Sequence, residues 1–330
     1  LVLSGLYIVG MALKLVITSQ AGLSVLLLAT VFPVMMAIGI TPITAASVLS
    51  LICIDYGPND GSTIFMSGVL KMNVVDVFLK HQIYVAGSII LVLAIVIPLY
   101  YKYMDARDLT RGEYQSQELT VLENPAVPGY YALLPIIPLA IVFVDYFIPS
   151  TKVDVITANI MGMFITFVIE FCRRSDKNEI PKDMLVILRA MADIFVSVVS
   201  IIISASCFAQ GIKMLGGISI FAHYIAGMDG AVFIIMLVLA LLTFLFGIIM
   251  GSGAAPLFAF GPLTPEIATK LGVPTVTLIL PMEIASALGR ATSPVCGAII
   301  AEAGFAGIEP IQLVKRSAPL LVLAFVINCV

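Results

Sequence analysis

The stretches MGSGAAPLF (250–258) and ASALGRATSPVCG (285–297) set small residues, hydroxyls and one arginine inside long apolar surroundings. Their reading decides the fold. An arginine at the centre of a membrane helix costs about 2.5–3.5 kcal/mol on insertion scales, so it must be paired, hydrated or functional. Gly, Pro and hydroxyl residues interrupt a helix, and a backbone freed at membrane depth is tolerated only around a polar cavity.

The surroundings are those of a membrane protein. Of 330 residues, 61% are hydrophobic and 11% charged, and the mean hydropathy is +1.13. A soluble domain is about half apolar and a quarter charged. Apolar runs such as 82–101 and 129–149 are long enough to cross ~30 Å of hydrocarbon at about 1.5 Å per residue. The alternating strands of a transmembrane barrel are missing from the sequence. The expected class is therefore all-α and polytopic, with the lipid bilayer as the surrounding medium. A net charge of −3 carries no information about partners, and no basic arm points to nucleic acid. The five cysteines are scattered without a C-x-x-C pair, and His81 and His223 have no ligand-spaced neighbours. No cofactor or metal is expected. Enzyme motifs are also missing: GSGAAP is not a G-x-S-x-G elbow, and neither a phosphate loop nor H-E-x-x-H occurs. The opening residues are apolar without a charged leader, and read as a start inside a membrane segment rather than a signal peptide.

Shifting the chain by 233 residues lays VITSQAGLSVL (16–26) on IMGSGAAPLFA (249–259) and IDYGPNDGST (54–63) on ALGRATSPVC (287–296). Identities are few: Ser19/Ser252, Ala21/Ala254, Gly39/Gly272 and Thr44/Thr277. Every polar break in the first half nevertheless meets one in the second. Paired, Gly/Pro-interrupted segments of this kind point to the binding site of a secondary transporter. Each half reads as a re-entrant helical hairpin with a small polar tip, followed by an interrupted transmembrane helix. Five crossings separate the hairpins, so the second repeat is inverted relative to the first. The division expected is residues 1–101 as the later part of repeat one, 102–128 as a polar cytoplasmic loop, and 129–330 as repeat two. Matched halves would need roughly another 230 − 129 = 101 residues ahead of residue 1, so the chain is expected to be a part that does not transport by itself.

Basic residues orient the topology. Lys102, Arg107, Arg111, Arg173, Arg174, Lys177, Lys182, Arg189, Lys315 and Arg316 fall on one side. Lys71, Lys80, Lys152, Lys213 and Lys270 fall on the other. The richer side is cytoplasmic by the positive-inside rule, and the first hairpin enters from it.

Arg290, Asp55 and Asp60 together at depth would cost roughly 8–10 kcal/mol, comparable to the ~5–15 kcal/mol stability of a domain. Arg290 reads as part of a transport path. Its alternative is a structural ion pair with Glu283, which lies seven positions earlier on the same helical face. Helix N-termini at the breaks offer a positive dipole end to an anion, while freed carbonyls and carboxylates hold a cation. Asn59, Asp60, Ser62 and Thr63 supply oxygens suited to Na⁺ or a proton, unless GPNDGST is an interfacial loop. Asp55 belongs to the same coupling set but could simply face water. The tips TSQAG and GSGAAP offer Ser19, Gln20, Ser252 and Gly253 for a carboxylate, although small residues also mark plain helix packing. Lys14 and Glu302 lie nearby and receive no role.

The stretches AGLSVLLLATVFPVMMAIGI, MGSGAAPLFAF and ALGRATSPVCGAIIAEAGFAGIEPIQLVKRS resemble the DcuC-type anaerobic C4-dicarboxylate carriers of bacteria, within a superfamily that includes divalent anion:sodium symporters. The likeness runs along essentially the whole chain and is most specific at 250–316. It implies inverted repeats, a multi-pass location in the bacterial inner membrane, and alternating-access exchange, uptake or efflux of succinate, fumarate and malate. It also implies that Ser19 and Ser252 at the tips, and the breaks near Asp60 and Arg290–Ser293, line the site. The family tip reads G-S-G-N-A-P, and this chain has Ala254 in place of the Asn. Glu283 is also unlike the family pattern. The resulting expectation pairs Arg290 with one substrate carboxylate. Ser252, Gly253, Thr292 and Ser293 would donate hydrogen bonds, and Asp60 would serve H⁺ or Na⁺. The rivals are a carrier for another organic anion or a peptide-like substrate, and an ion channel. The sequence leaves a homodimer open.

Overall fold

The computed structural model describes residues 2–111, 133–148, 153–173, 185–186, 188–189, 191–192, 195–214 and 230–330. Most of the 102–128 stretch, and Lys152, Arg174, Lys177 and Lys182, lie outside the described residues.

Helix α1 (Val2–Lys14) is followed by α2 (Gln20–Ala37), which Ser19 caps by accepting from the Gly22 amide. Capping satisfies one of the donors that a helix start leaves open. Helix α3 (Pro42–Ser50) starts with Thr41 as cap and Pro at its first position, where a missing amide costs nothing. The chain then runs non-helically to Asp60, which caps α4 (Gly61–Leu70). Beyond the left-handed Lys71 (φ 53°) comes α5 (Val74–Val77), a π-helical turn Phe78–Gln82 and α6 (Ile83–Arg111). These three join into one long rod whose membrane-competent span is Val74–Asp108. The charged stretch expected to be a loop from residue 102 therefore begins as helix, because its side chains find partners there.

Helices α7 (Ile136–Phe147), α8 (Val155–Arg173) and α9 (Ser200–Met214) come next, with a π-helical turn at Phe195–Val199 leading into α9. The last part holds α10 (Ala231–Met250), α11 (Ala254–Phe260), α12 (Thr264–Leu271), α13 (Val276–Ala291), α14 (Gly297–Phe305) and α15 (Pro310–Asn328). Among the described residues the protein is all-helical, and five helical spans are long and apolar enough to cross a membrane. Leu91, Ile95 and Leu99 on α6, Phe164 on α8 and Ile249 on α10 are all more than half exposed. Such faces suit hydrocarbon and not water. The protein is a polytopic membrane protein.

One apolar core joins the two ends of the sequence. Tyr7, Leu23, Phe32, Leu49 and Ile54 share it with Ala285, Leu288, Ile299 and Leu321. Phe32 meets the Phe305 ring edge-on at 5.2 Å. Helices α10 and α13 lie closest. A Cβ on Gly289 would stand 2.2 Å from the Phe244 carbonyl oxygen, and one on Gly247 would stand 2.8 Å from the Ser286 carbonyl. Small residues let backbones approach to this degree. Thr243 donates to the Met282 carbonyl at 3.1 Å and Ser293 to the Ile248 carbonyl at 2.6 Å, tying the same pair of helices. This pair holds the last turn of α13, and Arg290 with it, in a fixed place.

Candidate functional site

Arg290 sits on the last turn of α13, where the helix dipole favours a cation. It is still helical, so the second interruption starts later than the sequence suggested, at Thr292. Its guanidinium grips Asp55 with both arms: Nη1 to Oδ2 at 2.9 Å and Nη2 to Oδ1 at 3.0 Å. Nη2 also donates to the Cys53 carbonyl at 2.8 Å and to Gln20 Oε1 at 3.4 Å. Its Nε has no hydrogen-bond partner among the described residues. Planar two-armed recognition of a carboxylate is the strongest geometry an arginine offers.

Asp55 belongs to residues 51–60, the non-helical segment between α3 and α4, and is only 4% exposed. It therefore does not face water, which was the bland reading of its sequence position. Its second cation is Lys14, fully buried at the end of α1, with Nζ 3.0 Å from Oδ1. Lys14 also donates to the Thr18 carbonyl. The expected alternative pairing of Arg290 with Glu283 does not form. Glu283 accepts from Gln82 Nε2 at 2.6 Å instead. The same-face argument failed because α13 turns Glu283 toward the π-helical turn, while the partner of Arg290 comes from a different segment.

The non-helical segment is held by side chains from elsewhere. Gln20 Nε2 donates to the Ile52 carbonyl at 2.9 Å, and Gln82 Nε2 reaches the Asp55 carbonyl at 3.4 Å. Gly57 turns the chain at φ 108°, a region that favours glycine, and its amide donates to Gln82 Oε1 at 2.9 Å. That amide contact fixes which end of the Gln82 side chain is oxygen. Thr63 completes the cluster, 2.9 Å from Gln82 Nε2. π-Helical turns mark functional sites in other helices; here the turn carries Gln82 into the interior.

Of the residues named from sequence, Gln20, Asp55 and Arg290 touch directly, and Gly253 packs on the ion pair. A Cβ on Gly253 would come within 3.0 Å of both Arg290 Nη1 and Asp55 Oδ2, so the tip of the 250–258 stretch lies against the pair. Ser19 and Ser252 act as helix caps, accepting from the Gly22 amide at 3.2 Å and the Ala255 amide at 3.3 Å. Neither hydroxyl donates to another residue among the described residues. Thr292 and Ser293 donate theirs to the Leu288 and Ile248 carbonyls. Asp60 Oδ1 accepts from the Ser62 amide at 2.8 Å as the cap of α4, and Thr63 turns to Gln82. Asn59 lies apart from the ion pair and accepts from Asn159 of α8 at 2.6 Å.

Sequence reading assigned nothing to Lys14, Gln82 and Glu302. Lys14 and Glu302 are single charged residues within or at the end of apolar runs, and that rarity was the available clue; Gln82, following Lys80 and His81, gave none. Arg316, counted on sequence as a loop charge, is 4% exposed and pairs with Asp105 and Asp108 of α6. Thr44 bridges the same group, 2.6 Å from Asp105 and 3.0 Å from Arg316. A cavity of about 560 Å³ lies here, lined by Thr41, Asp105, Asp108, Gln312 and Arg316 among others, and by none of Lys14, Asp55 and Arg290.

A multi-helix membrane protein with a buried arginine–aspartate–lysine centre has the features of the transporter class. The chain belongs to the C4-dicarboxylate anaerobic carrier family, DcuC, whose model matches residues 1–330. It is 33% identical over 319 residues to the anaerobic C4-dicarboxylate transporter DcuC of Escherichia coli strain K12, covering 96% of this chain and 68% of that protein. It is 34% identical over 322 residues to a probable anaerobic C4-dicarboxylate transporter of Vibrio cholerae, covering 96% and 69%. No solved structure matches the chain. The family is one of transporters, not enzymes.

Proposed function

We propose that this chain forms the substrate-handling part of a secondary carrier that moves C4-dicarboxylates such as succinate, fumarate and malate across the bacterial inner membrane by alternating access. The observation that carries this reading is the two-armed Arg290–Asp55 contact, closed by Lys14, at the meeting of both interruptions. Lys14 and Arg290 bring two positive charges to one carboxylate, an excess that suits an anion. Asp55 occupies the arginine fork in the way a substrate carboxylate would, and substrate takes its place. Ser19, Gln20, Ser252 and the Gly253 amide serve the rest of the anion, and Asn59 joins them once its contact with Asn159 is released. Thr292 and Ser293 join once their turn moves. Asp60 with Ser62 and Thr63 serves the coupling cation, H⁺ or Na⁺, because a second charge on the substrate must be offset inside a low dielectric.

Turns of like geometry support the inverted-repeat reading, with residues 1–101 and 129–330 on either side of the 102–128 stretch. Gly39 and Gly272, 233 residues apart, both end helices with positive φ, at 84° and 68°. Each is followed by the same back-bond, Ile40 N to Met35 O at 3.1 Å and Val273 N to Ala268 O at 3.0 Å. Ser19 and Ser252 cap at the same spacing. Beyond the interruptions the offset becomes 236, with Met72 N to Ser67 O at 3.1 Å and Ile308 N to Ala303 O at 2.9 Å. The tips read as re-entrant hairpins.

The test is succinate counterflow with the intact protein in proteoliposomes. Wild type should exchange labelled for unlabelled succinate, and Arg290→Ala should not, while it still inserts and purifies. Near-normal exchange by that variant removes Arg290 from the site. Exchange only of a non-dicarboxylate anion favours the other organic-anion carriers, and a conductance without counterflow favours a channel.

A further inference from the structure

Glu283 has no part in the substrate contacts above, yet its surroundings are as constrained as those of Arg290. The side chain is 1% exposed. Among the described residues no lysine, arginine or histidine lies within ion-pair distance of it. Its Oε1 accepts from the neutral amide of Gln82 at 2.6 Å, and its Oε2 has no hydrogen-bond partner among the described residues. Gln82 and Thr63 are its neutral polar neighbours, and the adjoining 51–60 segment adds two more acids, Asp55 and Asp60. An isolated carboxylate taken out of water without a cation costs far more than binding a proton. Asp60 differs, since it caps α4 by accepting a backbone amide at the positive end of a helix. Where two acids share such a region, the proton goes to the one with the poorer donors.

We propose that, where the coupling cation is a proton, Glu283 and not Asp60 carries it, and that Gln82 transmits its protonation state to the substrate site. Gln82 is bonded at the same time to Glu283, Thr63, the Gly57 amide and the Asp55 carbonyl. Any change of charge at Glu283 therefore acts on the segment that holds Asp55 against Arg290. In the arrangement seen, Glu283 is protonated and sealed. It gives its proton to water when the seam between α13 and the π-helical turn opens on one side, and takes one up on the other. Glu302 is another buried acid. It accepts from Ser24 at 2.7 Å, has no bond to the 51–60 segment among the described residues, and serves as a control.

The inference rests on the carrier reading, and its test separates the two. Proteoliposomes holding a pH-sensitive dye report proton movement driven by a succinate gradient, alongside succinate counterflow. Glu283→Gln is expected to keep counterflow, lose succinate-driven proton movement, and lose accumulation driven by an acid exterior. Glu302→Gln is expected to keep all three. Infrared spectra of the purified proteins near neutral pH should show a protonated carboxyl band in wild type that Glu283→Gln lacks. Identical spectra, or proton movement at the wild-type rate in Glu283→Gln, overturns the assignment. If Glu283→Gln fails to fold or exchange, Glu283→Asp decides: a displaced pH dependence of coupled uptake supports the proposal, and the wild-type profile overturns it. If wild type moves no dicarboxylate, the carrier reading fails, and the infrared comparison still judges Glu283.

Discussion

Between α3 and α4 the chain runs ten residues, 51–60, without a helix; between α13 and α14 the gap is five, 292–296. The longer gap has its carbonyls taken by side chains from distant elements, at Ile52 by Gln20, at Cys53 by Arg290 and at Asp55 by Gln82. The shorter gap closes on itself, with Thr292, Ser293 and Cys296 amides bonded to Leu288, Arg290 and Ser293 carbonyls. In a medium without water every backbone group must find a partner in the protein. The first interruption therefore depends for its shape on Gln20, Gln82 and, from the second half, Arg290, while the second keeps its own. The acid sits on the dependent segment and the arginine on the rigid one. A contact between them can break without unfolding α13.

The largest effect expected from this contrast is that of Asp55→Ala. It leaves Lys14 and Arg290 facing each other unopposed, and breaking a buried pair by removing one partner costs about 3–5 kcal/mol. Thermal unfolding in detergent should fall markedly and counterflow should vanish. A melting curve like that of wild type would mean that the 51–60 segment does not depend on the ion pair.

Next comes Arg290→Lys, which retains the charge and loses the fork. Hydrogen bonds to charged groups are worth about 1.5–3 kcal/mol, and a lysine reaches one carboxylate oxygen as a point charge. Counterflow should be strongly impaired with a smaller loss of stability than in Asp55→Ala. Equal damage in the two variants would erase the distinction between the dependent and rigid segments.

Gly289→Ala probes the rigid side. The added Cβ would meet the Phe244 backbone oxygen at 2.2 Å, and overpacking of this kind costs about 1–3 kcal/mol. Transport and melting should both decline, since α10 and α13 must separate. Unaltered melting would show that this helix pair yields easily.

The smallest change in stability is expected for Asp60→Asn, because asparagine caps a helix about as well as aspartate. Its effect should appear in the ion or pH dependence of uptake and not in substrate preference. An unchanged ion and pH profile would leave Asp60 as the cap of α4 alone.

Much of this was legible in the sequence, for reasons of physical cost. Hydrocarbon forbids unpaired backbone and unpaired charge, so the apolar runs gave an all-helical membrane protein, and Arg290, Asp55, GPNDGST and GSGAAP stood out as exceptions that needed partners. Which partner each would take was not legible. Glu283 shares a helical face with Arg290 in the one-dimensional pattern, but Asp55, 235 positions away, is the acid that reaches it. Lys14, Gln82 and Arg316 are polar residues whose partners are remote in sequence. Their roles arise only where helices cross. Local spacing sets helix, cap and turn, because those bonds close within a few residues. Pairing across the molecule depends on how close glycines let helices approach, and only the tertiary structure decided that.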